Sequence, residues 1–250
     1  MEKSSSTKIK QFIAVIFLYS VFPFIGSIIS DSKIVYYISS TVGIVFMILL
    51  FGYMKNNKMI SFPQPIIKSP AIALLFPIFA FNYKCLIAAI TSIFVSEPLY
   101  TSSSGTNVSL LFMCYIIIIA PIAEELIYRY ALPNIFINNK DKVSTKIAVA
   151  IIGTLIWNFR HGDSLFNLNI NISLIIAGFI LYWIYFRTQN IIYCIIFHMT
   201  ANLANTLMFN LDETKEPISI LYDSTLALII SILIFILMLL SIYKVSQRRD

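Results

Sequence analysis

The sequence predicts an all-α, polytopic transmembrane helix bundle, and three observations support this fold class. Only 12% of the 250 residues are charged, about half the share found in ordinary soluble domains. Hydrophobic residues reach 58%, and the mean hydropathy is +0.84. The apolar residues collect in long runs. A soluble enzyme would need more polar surface around its core, and a disordered chain lacks apolar residues, so both classes are excluded.

Eight apolar segments are candidate membrane spans, since a spanning helix needs about 20 mostly apolar residues. The first is predicted to be a retained anchor, because its apolar run exceeds that of a signal peptide and no small-residue cleavage site follows it. Pro23, Pro77 and Pro121 lie within segments and predict local kinks. The segments cover approximately residues 11–29, 34–54, 71–95, 108–131, 145–160, 169–187, 190–211 and 223–243.

The positive charges predict the orientation of these spans. With the N-terminus inside, thirteen Lys and Arg residues lie on the inner side, and only Lys33, Arg160 and Lys215 lie outside. This positive-inside bias predicts a multi-pass protein of the cell membrane with about eight spans and both termini in the cytoplasm. Topology and contact with anionic lipid explain the net charge of +6, so nucleic acid is not an expected partner.

The short connections indicate a single integral membrane domain over residues 1–250, with exposed loops at 96–107 and 212–217. The three cysteines, Cys85, Cys114 and Cys194, lie in apolar runs and form no CxxC pair. They therefore predict neither a disulfide framework nor a zinc finger.

Ionisable residues inside apolar segments are costly, which makes them candidates for function. Glu125 and Arg129 are four residues apart, so on a helix they can pair and neutralise each other. Glu124 lies about 100° further round the helix and is left for chemistry, although both glutamates could instead join a structural ion-pair network. The ionisable residues within apolar segments are Lys84, Glu124, Glu125, Arg129, His161 and His198.

Both histidines of the chain have a partner at helical spacing. His161 follows Trp157 by four residues, and His198 precedes Asn202 by four. A structural role, such as a helix–helix hydrogen bond, is the alternative for each. If the Glu124 helix and the next segment form a hairpin with its tip near residue 142, Glu124 and His161 return to nearly the same depth. The hairpin predicts that these two side chains approach each other.

Together these residues resemble the CPBP family of intramembrane proteases, which includes the type II CAAX prenyl proteases and bacteriocin-processing and immunity relatives. The family motif E-E-x-x-x-R resembles residues 124–129, and F-x-x-x-H resembles residues 157–161 with Trp157 in place of Phe. The motif H-x-x-x-N matches residues 198–202. The motifs occur in order within a protease motif core at 117–205.

The resemblance implies a glutamate-type endopeptidase that acts on a membrane-associated peptide or protein. Glu124 and His161 would activate a water molecule, and His198 with Asn202 would stabilise the oxyanion. Glu125, Arg129 and Trp157 would support the site. No cofactor is implied, and the absence of H-E-x-x-H favours a metal-free site. The alternative is a zinc site of one carboxylate and two histidines, Glu124, His161 and His198.

Two other functions remain alternatives to the protease. One is a bacteriocin-immunity or scaffold protein that needs no proteolysis, and the other is a proton-coupled carrier. An intact motif set favours the enzyme, and the lack of an evident inverted repeat counts against the carrier. Prenylated CAAX protein is the substrate class that names the family, but a peptide precursor, leader peptide or membrane-protein tail is expected here.

Overall fold

The computed structural model describes residues 5–29, 32–57, 65, 70–94, 110–137, 142–161, 168–210 and 225–247. All regular secondary structure in these ranges is helical, which confirms the all-α class. The elements are α1 (Ser5–Ile29), α2 (Lys33–Asn56), α3 (Pro70–Ala73), α4 (Leu75–Phe94), α5 (Leu110–Cys114), π1 (Tyr115–Ile119), α6 (Ala120–Glu124), π2 (Glu125–Ala131), α7 (Leu132–Phe136), α8 (Val143–Arg160), α9 (Leu168–Thr188), α10 (Ile191–Asn210) and α11 (Thr225–Gln247).

Several of the described helices are suited to a membrane. Four are long and apolar enough to cross one, at Thr7–Ile29, Ile34–Asn56, Leu110–Phe136 and Leu228–Gln247. Three shorter apolar helices cover Leu75–Ile87, Ile172–Thr188 and Ile191–Thr206. These helices support a membrane protein, whereas the number of spans and the side of each terminus stay predictions. The predicted loops at 96–107 and 212–217 lie outside the described residues.

Proline divides one of the predicted spans. The segment expected at 71–95 is interrupted at Leu74, between α3 and α4. Pro77 explains the interruption, because it has no N–H to bond to the Ala73 carbonyl and its ring would clash with that carbonyl. By contrast, α1 continues through Pro23.

The helix from Leu110 to Phe136 is a composite in which two π-helical segments alternate with α-helical turns. Each π segment ends two residues before a proline: π1 ends at Ile119 before Pro121, and π2 ends at Ala131 before Pro133. A proline ring crowds the carbonyl four residues earlier, and this carbonyl lies inside the π segment in both cases. Widening the turn accommodates the ring, and such π-bulges are frequent at functional sites.

The chain divides into two compact units, one of Met1–Gln64 with Ser109–Thr154 and one of Pro65–Val108 with Leu155–Asp250. In the first unit, α1 and α2 pack extensively against each other. Gly43 permits a close approach of the two helices, since a Cβ atom there would lie 2.9 Å from the Leu18 carbonyl oxygen and 3.1 Å from Phe22 Cβ. This unit also contains the composite helix, which carries Glu124.

In the second unit, α4 packs against α10 and α11, and α9 packs against the same two helices. Aromatic rings fill the contact between α4 and α10. Phe76 stacks on Tyr193 with 4.7 Å between ring centroids, and Phe79 meets Phe197 at 5.2 Å. These contacts hold α10 in one rotation about its axis and so set the direction of His198, the residue after Phe197.

An apolar cavity of about 340 Å³ lies in the first unit, between α2 and the beginning of the composite helix. It is separate from the motif residues, because none of them lines it. Its lining residues are Tyr37, Ile38, Thr41, Val42, Val45, Leu111, Cys114, Tyr115 and Ile119.

Candidate active site

The two adjacent glutamates lie where the composite helix changes from α to π geometry. Glu124 is the last residue of α6, and Glu125 is the first residue of π2. Glu125 and Arg129 are fully buried, and Arg129 Nη1 donates a hydrogen bond to Glu125 Oε1 at 3.1 Å. The ion pair expected from the i,i+4 spacing is therefore present. It joins the first residue of π2 to a residue near its end.

Glu124 has a different environment from Glu125. Its side chain is buried as well, with 9% of its surface exposed, and it has an interaction partner of its own. The Arg129 Nη1 contact described above goes to Glu125 rather than to Glu124. The division of roles between the two carboxylates stays a prediction.

Both histidines contact the side chain of Trp157. Its ring is 1% exposed and meets both imidazoles edge-on. The ring centroids lie 5.1 Å from His161 and 5.6 Å from His198. Trp157 and His161 share a face of α8, and His198 approaches from α10 within the same unit. The second and third motifs therefore converge on Trp157.

The hydrogen bonds of His161 determine its neutral tautomer. Nδ1 lies 2.8 Å from the Trp157 carbonyl oxygen, and because a carbonyl oxygen can only accept, Nδ1 must carry the hydrogen. Nε2 then keeps its lone pair, and no described residue donates to it. His161 is half-buried at the end of α8, where its backbone N–H donates to the Asn158 carbonyl oxygen at 2.9 Å. An imidazole of this tautomer can accept a hydrogen bond or a proton at Nε2.

His198 and Asn202 lie one turn apart on α10. His198 is buried and Asn202 is half-buried, and both have interaction partners. The Thr206 hydroxyl donates to the backbone carbonyl oxygen of Asn202 at 3.0 Å. This hydrogen bond does not involve the side-chain amide of Asn202. Each side chain carries N–H groups able to donate to an anionic oxygen.

The approach of Glu124 to His161, expected from the hairpin, concerns residues of the two different units. It stays a prediction. The described residues contain no group of three His, Cys, Asp or Glu side chains placed to hold a metal ion. The zinc alternative is therefore a question for metal analysis of the purified protein.

Asn158 is a buried polar residue of the candidate site region that the sequence analysis passed over. It lies inside the second motif, is 6% exposed and has an interaction partner. An amide within an apolar segment is the signal that could have identified it, because a buried polar group requires a hydrogen bond.

One family model matches the part of the chain that carries the three motifs. Residues 106–204 match the Type II CAAX prenyl endopeptidase Rce1-like family. The Rce1-like match covers 99 of the 250 residues, and Glu124, His161, His198 and Asn202 all fall within it. No curated protein and no solved structure matches the chain. The Rce1-like match confirms the resemblance derived from the three motifs and indicates a protease at the level of the family.

Proposed function

We propose that the protein is an intramembrane endopeptidase that hydrolyses a peptide bond of a membrane-associated substrate without a metal ion. The observation that carries this proposal is the contact of Trp157 with both His161 and His198, inside the segment that matches the Rce1-like family. No comparison favours an immunity or scaffold function, which stays a prediction from the sequence.

In the proposed mechanism, Glu124 and His161 activate the attacking water. The Glu124 carboxylate removes one proton, while Nε2 of His161 accepts the second hydrogen bond of the water and orients it. The oxygen attacks the scissile carbonyl carbon, and a tetrahedral intermediate with one negative oxygen forms. The tautomer of His161 supports this role, because its Nε2 is an acceptor.

Collapse of the intermediate completes the reaction. Side-chain N–H groups of His198 and Asn202 donate to the negative oxygen, which stabilises the charge as it develops. Glu124 then returns its proton to the amine nitrogen as the C–N bond breaks. In this mechanism the buried Glu125–Arg129 ion pair takes no part in the chemistry and holds the Glu124 segment in place.

The test uses purified protein and a farnesylated, fluorescence-quenched peptide that ends in a CAAX sequence, as the family description suggests. Glu124→Gln and His161→Ala are expected to abolish cleavage while the protein still accumulates in the membrane. Cys114→Ser, a change at an exposed thiol of the same composite helix, is the matched control and should keep wild-type turnover. Wild-type turnover by purified Glu124→Gln protein would contradict the proposal.

Two further measurements complete the test. Metal analysis before and after chelation addresses the zinc alternative, and stoichiometric zinc that is lost together with activity would overturn the metal-free mechanism. A comparison of cellular peptides from an intact strain and a Glu124→Ala strain identifies the natural substrate, which accumulates uncleaved in the variant.

We also propose eight spans in the cell membrane, with both termini in the cytoplasm and inner-side lysines and arginines in contact with anionic lipid. The thirteen-to-three charge distribution supports this topology. Reporter fusions after Asp250 and within residues 96–107 should report the inside and the outside, respectively. An external signal from the fusion after Asp250 would refute it.

A further inference from the structure

The apolar cavity of the first unit lies between two helices that are each long and apolar enough to cross a membrane, α2 and the composite helix. Ring contacts join these helices near both ends. Tyr37 meets Tyr115 near their beginnings, with 4.8 Å between ring centroids. Phe51 meets Tyr130 near their other ends, at 6.2 Å. The two helices therefore run side by side in the same direction, and the cavity lies between them.

The cavity extends along α2 over the depth of one membrane leaflet. Its lining residues on this helix run from Tyr37 to Val45, a length of about 12 Å at 1.5 Å per residue. The candidate span of α2 begins at Ile34, so Val45 lies about 16 Å from the beginning of the span. One leaflet supplies half of a hydrocarbon core that is about 30 Å thick. A span that begins at the membrane surface thus carries the cavity to the bilayer middle.

The lining of the cavity consists almost entirely of carbon surface. Five of its nine residues are aliphatic. The Thr41 hydroxyl donates to the backbone carbonyl oxygen of Tyr37 at 2.8 Å, so its hydrogen is already bonded within α2. A buried water molecule typically makes about three hydrogen bonds, whereas apolar cavities stay dry and bind apolar molecules. The chemistry of the lining therefore suits a hydrocarbon ligand.

Exposed aliphatic side chains border the cavity on α2. Ile38, Val42 and Val45 follow one another at spacings of four and three residues, so they share one face of the helix, and all three are exposed. A lipid tail is as apolar as leucine, so its binding to such a face depends on van der Waals contact. A chain between two helices meets protein atoms on both sides, whereas a chain on a single helix face meets them on one. The cavity therefore offers a lipid chain more dispersion attraction than the helix faces around it.

We propose that this cavity binds one acyl chain of a bilayer phospholipid, which completes the packing between α2 and the composite helix. A phospholipid supplies an apolar chain that extends from the membrane surface to the bilayer middle, the same depth over which the cavity extends. Tyr37 and Tyr115 lie near the beginnings of the two helices, and tyrosine is enriched where membrane helices meet the interface. The site does not depend on proteolysis, because none of the proposed catalytic residues lines it.

The experiment measures lipid binding to the full-length protein. The protein is purified in a steroidal detergent, whose rigid rings do not resemble an acyl chain. It is then titrated with a phosphatidylcholine that carries a photoreactive diazirine in the middle of one acyl chain. After irradiation, peptide mass spectrometry counts and locates the attached lipids. Labelling of residues 38–45 and 111–119 should saturate at one lipid per protein. Labelling of Leu233 and Leu237, two exposed residues of α11, should rise in proportion to the lipid and is the reference for non-specific contact.

Variants that fill the cavity test whether the labelled site is the one described. Val42→Trp replaces a lining valine by a much larger side chain and should lower the saturable labelling roughly fivefold. Leu49→Trp is the matched control and should leave it unchanged, because Leu49 lies two turns after Val42 on the same exposed face and does not line the cavity. Val45→Phe is a second filling variant, should Val42→Trp reduce the yield of folded protein.

Melting temperatures provide an independent measurement. Added phosphatidylcholine should raise the melting temperature of the wild type and of Leu49→Trp more than that of the filling variants, because a ligand that binds only the folded state stabilises it. Three results would overturn the proposal. One is the absence of saturable labelling at residues 38–45 and 111–119. The second is unchanged saturation in both filling variants. The third is displacement of the probe by an equimolar farnesylated peptide, which would assign the cavity to a substrate lipid instead.

Discussion

Trp157 sets its indole ring edge-on against the imidazole of His198, with 5.6 Å between the centroids and 87° between the planes. The same ring meets His161 at 81°. One buried side chain therefore spaces two imidazoles that belong to different helices. Edge-to-face contacts of this kind have a preferred geometry, so Trp157 restricts the orientation of both rings.

Replacing Trp157 should disturb the fold and the histidine pair together. Trp157→Ala is expected to destabilise the protein by about 3–5 kcal/mol, because it leaves a large void in a packed core, and to lower kcat/KM. Trp157→Phe keeps an aromatic edge and should retain more stability and more activity. Detergent melting temperatures and peptide cleavage provide the two measurements. Equal activity of both variants and wild type would show that Trp157 does not position the histidines.

The buried ion pair predicts that Arg129 is more important for stability than Glu124. Arg129→Ala leaves the Glu125 carboxylate buried without its cation, and breaking such a pair costs about 3–5 kcal/mol. Glu124→Gln preserves the shape of a side chain outside this pair and should melt near the wild-type temperature. The double change Glu125→Gln with Arg129→Met should recover part of the loss.

The comparison of melting temperatures has two outcomes that would contradict this division. One is a Glu124→Gln protein that melts as low as Arg129→Ala. The other is a double variant that is no more stable than Arg129→Ala.

His198 and Asn202 are predicted to act on the transition state. His198→Ala and Asn202→Ala should each lower kcat by about 10²–10³-fold, as the loss of an oxyanion donor does, with a smaller change in KM. Single-turnover cleavage by protein of verified melting temperature is the measurement. A rise in KM at unchanged kcat would instead assign these side chains to ground-state binding.

The helical class and the approximate helix positions followed from the sequence because long apolar runs leave few alternatives in lipid. The division at Leu74 and the π segments were harder to predict. A proline in a transmembrane helix has several local solutions, and whether the helix continues, as at Pro23, or changes geometry, as before Pro121, depends on the helices packed around it.

Part of the candidate site was also readable from spacing alone. The i,i+4 pair of Glu125 and Arg129 requires only a helical turn, and the structure contains it. The contact of Trp157 with His198 could not be predicted from residue spacing, because it joins α8 to α10 across a long sequence separation. Such a contact depends on tertiary packing, which residue spacing within one helix does not determine.

The turn between α9 and α10 contains a residue in a conformation that favours glycine. Gln189 has a φ of 52°, and left-handed geometry costs a non-glycine residue roughly 1–2 kcal/mol. Gln189→Gly should therefore raise the melting temperature, because glycine adopts this conformation without that cost. The backbone N–H of residue 189, which lies 2.7 Å from the Tyr185 carbonyl oxygen, can still donate to it in the variant. Gln189→Val, which is β-branched, should lower it. A Gln189→Gly protein less stable than Gln189→Val would show that the side chain, rather than the backbone, determines this turn.

The packing of α1 on α2 predicts opposite effects for two glycines of the same helix. A Cβ atom at Gly43 would lie 2.9 Å from the Leu18 carbonyl oxygen, whereas one at Gly52 would meet nothing within 4 Å. Gly43→Ala should cost about 1–3 kcal/mol, because a backbone oxygen can give way only if α1 shifts. Gly52→Ala should be neutral or stabilising by about 0.5–1 kcal/mol, since alanine is favoured over glycine inside a helix. The two variants differ by the same single methyl group, so intrinsic helix propensity cannot account for opposite signs in their melting temperatures. If both changes stabilise the protein equally, the close approach of α1 to α2 at Gly43 is wrong.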